Sequence, residues 1–361
     1  MYKETIKRIA AVTAAVVCIG LTSCGNSEDK TQSKASGSSS AADSVPSVTL
    51  PQDKETDSAS QDESDTESKA EQEIGENNKG EYTPAMWKVT SPDGETMYMM
   101  GSMHALTEDC YPLPDYVTNA FEQADILAVE CDISDTTATF TASMKQMENM
   151  MYDDGTTLKD HLSEETYSNL DSYFTAHGEK LSLYDGYKPW YISSVVENMA
   201  VADAGLNSGL GIDMHLLNLA GDEGKEIYEV ESIDFQLDML VNFSDEIQDI
   251  SLNTYSEENM EELNAQFTEL FEAWRTGDID KISELSDGDQ SELTDEQKAA
   301  IDDYNKAMLY DRNIGMAQAA EQLMSEGKNV FYIVGAAHFV GDGGIIDLME
   351  NDGYTFELVT E

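Results

Sequence analysis

The sequence predicts an α/β fold: a central mixed β-sheet flanked by helices, two Gly-x-x-His strand ends converging on one cleft, and a large helical insertion between the halves. Three observations predict it. The apolar runs Met97–Met100 and Val330–Val334 are short, continuous and stopped by Gly101 and Gly335, as in strands buried on both faces. Each glycine is followed three residues later by a histidine, His104 and His338. Between them, segments of helical period alternate with further short apolar runs, the order of an α/β chain.

The amino terminus sets the expected address. Lys3, Lys7 and Arg8 precede the apolar run Ile9–Gly20, which is too short to stay as a spanning helix. Leu21-Thr22-Ser23-Cys24 matches the lipobox of bacterial lipoproteins. Residues 1–23 are therefore expected to be a signal peptide, with Cys24 as the lipidated mature N-terminus. The protein is expected in the cell envelope, extracytoplasmic and anchored to the membrane through that lipid. Residues 24–82 are rich in Ser, Asp, Glu, Gln, Thr and Lys and nearly lack large apolar side chains. Such a segment cannot offset its chain entropy by burial, so a disordered tether is expected.

The folded domain is expected over 83–361. Met86–Thr90 and Met97–Met100 flank the turn signal Ser91-Pro92-Asp93-Gly94 and read as a β-hairpin. After the loop Ala105–Leu113, Pro114 opens a helix to about Gln123, proline being tolerated in the first turn. Ile126–Val129 is a second buried strand, ending in Glu130-Cys131-Asp132. From Thr139 to about Gly205 the period is helical. Met144, Met147, Met150 and Met151 fall at helical spacing there and are expected to fill the core, as Met commonly does. Ser163 is a candidate N-cap for a helix through Ala176, and Lys188-Pro189-Trp190 begins another that Gly205 ends. Leu210–Asp213 leads into a short helix to Ala220. Lys225–Val230 is a third strand, followed by Glu231-Ser232 and a helical pattern containing Gln236. Tyr255–Ser286 and Leu293–Ser325 are long, acidic, amphipathic helical regions. Strand Val330–Val334, helix Gly344–Glu350 and strand Tyr354–Val359 complete the chain.

Charge limits the partners. With 72 acidic and 20 basic residues the formal net charge is −52, and no basic stripe offsets it, which excludes nucleic acid as a partner. Cys110 and Cys131 are the cysteines of the folded domain. Outside the cytoplasm a bridge between them is permitted; two free buried thiols are the other reading.

The polar residues at strand ends are His104, Glu130, Glu231 and His338, and open α/β sheets gather their ligands at that edge. Two imidazoles and one or two carboxylates suffice for a divalent metal of the Zn, Mn, Co or Fe type. A metal with an open position lowers the pKa of bound water to about 7. Glu130 is then either a ligand or the general base. Each Gly-x-x-His, taken singly, is also what an ordinary hydrogen-bonded loop contains. Asp213 either caps the helix after Gly211 or reaches the site from its loop. Arg312 reads as a surface charge or as a clamp for a substrate carboxylate. His161, His177 and His215 lack matching partners and read as surface or packing residues. No His-Glu-x-x-His helix, Gly-x-Ser-x-Gly elbow, Walker loop or Rossmann glycine fingerprint is present.

Taken in order, Gly101-Ser-Met-His104, Tyr111-Pro-Leu-Pro114, Ile126–Glu130, Lys188-Pro-Trp190 and Gly211-Ile-Asp213 resemble the TraB/GumN family, which includes the Tiki membrane metalloproteases. The later matches are Val230-Glu231 with Gln236, Ala273-Trp274 with Gly277-Asp278, Arg312-Asn313, Val334–His338 through Gly341, and Gly353-Tyr354. The likeness runs from about Trp87 to Val359. It implies a metal-dependent hydrolase fold with His104, His338 and Glu130 at its centre and Glu231, Asp213 and Arg312 around it. Ala337 departs from the glycine that many relatives carry before the second histidine and leaves Gly-x-x-His intact. The leading expectation is an envelope-anchored hydrolase that uses Mn, Co or Zn to cleave a peptide or protein substrate. The alternatives are a non-catalytic lipoprotein of the same fold that binds haem, a metal or a peptide, or an inactive one that only meets partners.

Overall fold

Pro92 and Gly94 make the first turn: the Gly94 N–H donates to the Ser91 carbonyl at 2.9 Å, with Gly94 at φ +94, a conformation open to glycine. The computed structural model describes residues 82–287 and 294–360. The expected signal peptide, Cys24 and the tether up to residue 81 lie outside them. The turn joins β1 (Met86–Thr90) to β2 (Thr96–Ser102) as an antiparallel pair. The remaining strands are β3 (Ile126–Val129), β4 (Glu226–Glu229), β5 (Val330–Gly335) and β6 (Thr355–Leu358). Their order across the sheet is β4-β3-β5-β2-β1-β6. β4, β3, β5 and β2 run parallel, and β1 is antiparallel to both of its neighbours. The sheet is therefore mixed, as the sequence predicts.

The helices are α1 (Asp115–Gln123), α2 (Thr136–Asn149), α3 (Leu158–His161), α4 (Glu164–Ala176), α5 (Pro189–Asp203), α6 (Ile212–Glu223) and α7 (Ile233–Val241). They continue as α8 (Asp245–Leu252), α9 (Met260–Thr276), α10 (Ile279–Asp287), α11 (Asp295–Asn305), α12 (Asp311–Ser325) and α13 (Ile345–Asn351). Alternation along β5 sends Phe331 and Ile333 to one face, where α1, α4, α5, α6 and α9 pack. Val330, Tyr332 and Val334 go to the other, under α12 and α13. That period of two is what lets a wholly apolar strand serve two cores. Among the described residues no helix is long and apolar enough to cross a membrane. Cys110 and Cys131 are buried free thiols.

Two of the long helical regions are interrupted. Gly277 breaks the first at φ +69, and a Cβ there would lie 2.6 Å from the Thr83 carbonyl oxygen. In the second, residues Lys306–Tyr310 form a π-helical turn between α11 and α12. Such turns change which face a helix presents and recur at functional sites; this one precedes Arg312 and Asn313, adjacent residues that are both buried.

One expectation fails. Met144, Met147 and Met151 are not core: they are 44%, 56% and 45% exposed, beside Phe140 at 67%, and Met150 is only partly buried. α2 packs through its small side, Ala138 and Ala142, against Cys131 and Ile233, and Lys145 pairs with Asp238 of α7 at 2.8 Å. The large residues lie on the opposite face of the helix. Spacing reveals a stripe, but with apolar residues on both sides it does not say which one faces inward. The double substitution Met144→Lys/Met147→Lys should therefore change unfolding free energy by less than about 0.5 kcal/mol per site, against 2–5 for a core position. A urea titration that lost several kcal/mol would contradict this placement.

Candidate functional site

The parallel strands β2, β5, β3 and β4 end at one edge of the sheet, and each delivers a polar group there. Register sets Gly101 opposite Val334 and Ser102 opposite Gly335, so the two Gly-x-x-His turns leave the sheet side by side. The close fit explains the first glycine: a Cβ on Gly101 would lie 2.8 Å from the Cα and Cβ of Ala336. Trp274 donates its indole N–H to the Gly101 carbonyl at 2.9 Å and braces the same turn. Glu130 follows β3, Glu231 lies just beyond β4, and the Glu231 N–H donates to the Glu130 carbonyl at 2.7 Å.

His104 is held by the start of α6. Its Nδ1 is 2.7 Å from Asp213 Oδ2, while Ile212 N–H donates to the Met103 carbonyl. Gly211 must lack a side chain, since a Cβ would sit 2.5 Å from the His104 carbonyl oxygen. Burial opposes charge on this imidazole, but Asp213, through charge and hydrogen bond, and then Glu130 outweigh it and raise its pKa to about 9. Asp213 thus lies in the first turn of a helix and also reaches the site.

His338 sits in the 3-10 turn Ala336–His338 and is fully buried. Its Nδ1 is 2.6 Å from Asn313 Oδ1. The Asn313 amide nitrogen donates to the Gly343 carbonyl at 3.0 Å, which fixes the amide with its oxygen toward the ring. Nδ1 therefore carries the proton, and Nε2 is a bare lone pair. That atom has no hydrogen-bond partner and lies 3.9 Å from Glu130 Oε1. Burial and the Arg312 charge push the His338 pKa down to about 3.

Glu130 is held from both sides. Oε1 accepts the Gly335 N–H at 2.6 Å, and Oε2 accepts from Arg312 Nη2 at 2.7 Å and Gln236 Nε2 at 3.0 Å. Burial works to raise its pKa, yet the Arg312 charge, with the charged His104 imidazole and the Gly335 N–H behind it, holds it down to about 2. Glu231 takes the other flank of the guanidinium, from Nε at 2.9 Å and Nη2 at 2.8 Å, and shares Gln236 at 2.9 Å. Arg312 Nη1 donates to the Met308 carbonyl at 3.0 Å. At 3% exposure Arg312 is no surface charge; its donors go to two carboxylates of this chain and one carbonyl.

The structure places the six residues singled out in the sequence in two sets at one edge of the sheet. His104 pairs with Asp213, and His338, Glu130, Arg312 and Glu231 form the other. Among the described residues no three His, Cys, Asp or Glu groups already surround a point at ion-binding spacing. Both imidazoles have Nδ1 occupied by a side-chain oxygen, which directs Nε2 toward any ligand, as in metal-binding histidines; on His104, whose pKa is raised to about 9, a cation would first have to displace the Nε2 proton.

Sequence reasoning undervalued Asn313 and Gln236. A signal existed: Asn313 falls in the buried row with Met316, Ala317 and Ala320, and Gln236 in the row with Ile233 and Leu237. An amide on the apolar face of a helix needs a buried partner. The other histidines are packing residues. His161 stacks on Tyr152 and bonds Asp245, His177 bonds Tyr173 and Asp203, and His215 lies against Tyr111. A cavity of about 410 Å³ between α4 and α9, with Glu165, Asn169, Asn253 and Glu262 in its lining, contains none of the strand-end residues.

The model of the TraB/PrgY/gumN family matches residues 85–358. The uncharacterized protein YbaP of Escherichia coli (strain K12) is 29% identical over 164 residues, 45% of this chain and 59% of that protein. The uncharacterized protein YbaP of Shigella flexneri matches with the same identity and coverage. The chain therefore spans less than two thirds of the length of these relatives. No solved structure matches.

Proposed function

This chain belongs to the TraB/PrgY/gumN family, and on that footing we propose that it is an envelope-anchored, metal-dependent hydrolase of peptide bonds. One observation carries the reading: His338 Nε2, fully buried and without a partner, lies 3.9 Å from an oxygen of ionised Glu130. The unmet lone pair on Nε2 faces a carboxylate oxygen that already accepts the Gly335 N–H, and a cation between them would relieve their repulsion. His338, Glu130 and, through its Nε2, His104 would hold a divalent ion such as Mn, Co or Zn. When bound, it supplies Lewis acidity and lowers the pKa of a coordinated water to about 7.

The chain's own residues do the rest. Asp213 and Asn313 orient the imidazoles through Nδ1. Arg312 and the Gly335 N–H keep Glu130 anionic. Kept ionised by those partners, Glu130 would serve as an anionic ligand. Arg312 directs four of its five N–H groups to Glu130, Glu231 and Met308 and acts by holding those carboxylates. Full burial of His338 favours a second reading, a protein of the same fold that binds metal without chemistry. The peptide substrate is supported by the resemblance to the family alone, and the lipid anchor on Cys24 by the signal and lipobox pattern alone.

Metal content of the purified full chain, beside His104→Ala and His338→Ala variants, tests the proposal. About one equivalent in the parent and a 10–100-fold loss of affinity in either variant is expected. Equal metal in all three folded proteins would sink the metal centre. Retained metal with no cleavage of a mixed peptide set in Mn, Co or Zn would leave the binder.

A further inference from the structure

The methionines on the outer face of α2 have no task in the core. The chain has 18 methionines, and among the described residues the exposed ones are Met144, Met147 and Met151. All three stand in one row. Met147 lies three residues after Met144 and four before Met151, the two spacings that share a helix face. α2 ends at Asn149, but Met150 keeps a right-handed helical backbone and its N–H bonds the Gln146 carbonyl at 2.8 Å, so the row runs on to Met151. Neighbouring Cβ atoms at such spacings are about 5–6 Å apart. Each thioether turns about three side-chain bonds, so the Met147 sulfur can be brought beside that of either neighbour.

A row kept only for contact with another molecule would be served as well by leucine, which offers similar apolar area and loses less side-chain entropy when ordered. What methionine adds is sulfur. A thioether is a soft, polarizable donor, and among biological metals it selects Cu(I) over the divalent ions that seek oxygen and nitrogen. The surroundings suit a cation. Lys145, the one basic residue of the helix, is drawn off to Asp238 at 2.8 Å and Asp234 at 3.5 Å. Glu148, Asp153 and Asp154 are exposed beside the row in sequence, and the chain as a whole carries −52.

We infer that Met144, Met147 and Met151 form a surface site for a soft monovalent cation of the Cu(I) type, with the Met147 thioether at its centre and one or both neighbours completing it. The site draws on none of the strand-end residues, whose imidazole and carboxylate donors suit harder ions. Thiols compete for such a cation, so the site works best where free thiols are scarce, as outside the cytoplasm. That setting rests on the expected export of the chain; the site itself does not.

The test is a titration of the full-length protein, carrying ¹³C in its methionine methyl groups, with Ag(I), the redox-stable stand-in for Cu(I), in chloride-free buffer. It is carried past the equivalents taken by the four cysteines. The signals of Met144, Met147 and Met151, assigned by single Met→Leu substitutions, should shift saturably, while those of the buried Met99 and Met316 stay. Met147→Leu should weaken the response of Met144 and Met151 by about tenfold or more. Lowering the pH from 7 to 5 should change the affinity by less than about twofold, because a thioether has no proton to lose, whereas His, Cys and carboxylate ligands must release one. His338→Ala should leave the site unchanged, so failure of the metal centre and failure of this site read differently. Three signals that stay put with silver in excess of all thiols overturn the inference. So does an undiminished response in Met147→Leu, or an equal response to Zn(II). Shifts caused by a basic amphipathic peptide but not by Ag(I) would make the row a docking face and overturn it too. If silver at the buried thiols moves the Met99 and Met316 signals as well, the same titration in Cys110→Ala/Cys131→Ala decides.

Discussion

Replacing Arg312 by methionine should cost about 3–5 kcal/mol, the usual penalty for stranding one side of a buried ion pair. The guanidinium makes contacts of 2.7 to 3.1 Å to Glu130 and Glu231, and its side chain is 1% exposed. Without it two carboxylates share a water-poor interior, with Gln236 Nε2 between them and the Gly335 N–H on Glu130. Those neutral donors cannot replace a full charge. A typical domain has 5–15 kcal/mol in all, so the variant should unfold at much lower denaturant or fail to fold. Arg312→Lys keeps the charge but loses the planar fork and should fall between. Glu231→Gln provides a check that folds more readily, because it removes one carboxylate and leaves Arg312 paired to Glu130. Urea unfolding of the set at pH 7 measures the differences. A loss below about 1 kcal/mol in Arg312→Met would mean the pair is solvated and worth no more than a surface bridge.

That result bears on how much of this site was legible in advance. The strands were legible because a fully buried parallel strand leaves a continuous apolar run, and Gly101 and Gly335 mark where two such runs stop. Their adjacency followed from the repeated Gly-x-x-His and is seen in the pairing of Gly101 with Val334. The partners of those histidines were harder. Asp213 is 109 residues from His104 and Asn313 is 25 from His338, and no periodicity joins them. Arg312 and Asn313 are consecutive in one helix, where one of the two would ordinarily face solvent. The π-helical turn just before them accompanies the burial of both. The methionine stripe misled for the converse reason: α2 has apolar residues on two faces, and only packing chooses Ala138 and Ala142.

The second large effect lies at Glu197, where burial alone raises the carboxyl pKa from 4.5 to about 8. In the unfolded chain this group ionises near 4.5, so the folded state binds the extra proton between pH 4.5 and about 8. Stability linked to Glu197 is fully present below pH 4.5 and is lost as pH rises through that window. At about 1.4 kcal/mol per unit, the loss approaches roughly 4 kcal/mol by pH 8. Glu197→Gln keeps the shape and removes the ionisation. Parent and variant should therefore have similar stability at pH 4, and the variant should exceed the parent by roughly 2–4 kcal/mol at pH 8. The sign is the discriminating feature, since removing a buried polar residue usually destabilises. Other carboxylates in a chain with 72 acidic residues also titrate, but they titrate in both proteins and cancel in the difference between two urea series. A difference that stays flat from pH 4 to pH 8 would mean that Glu197 is already ionised and solvated in the folded protein. A difference that rises with pH locates a strained carboxyl in the helical layer.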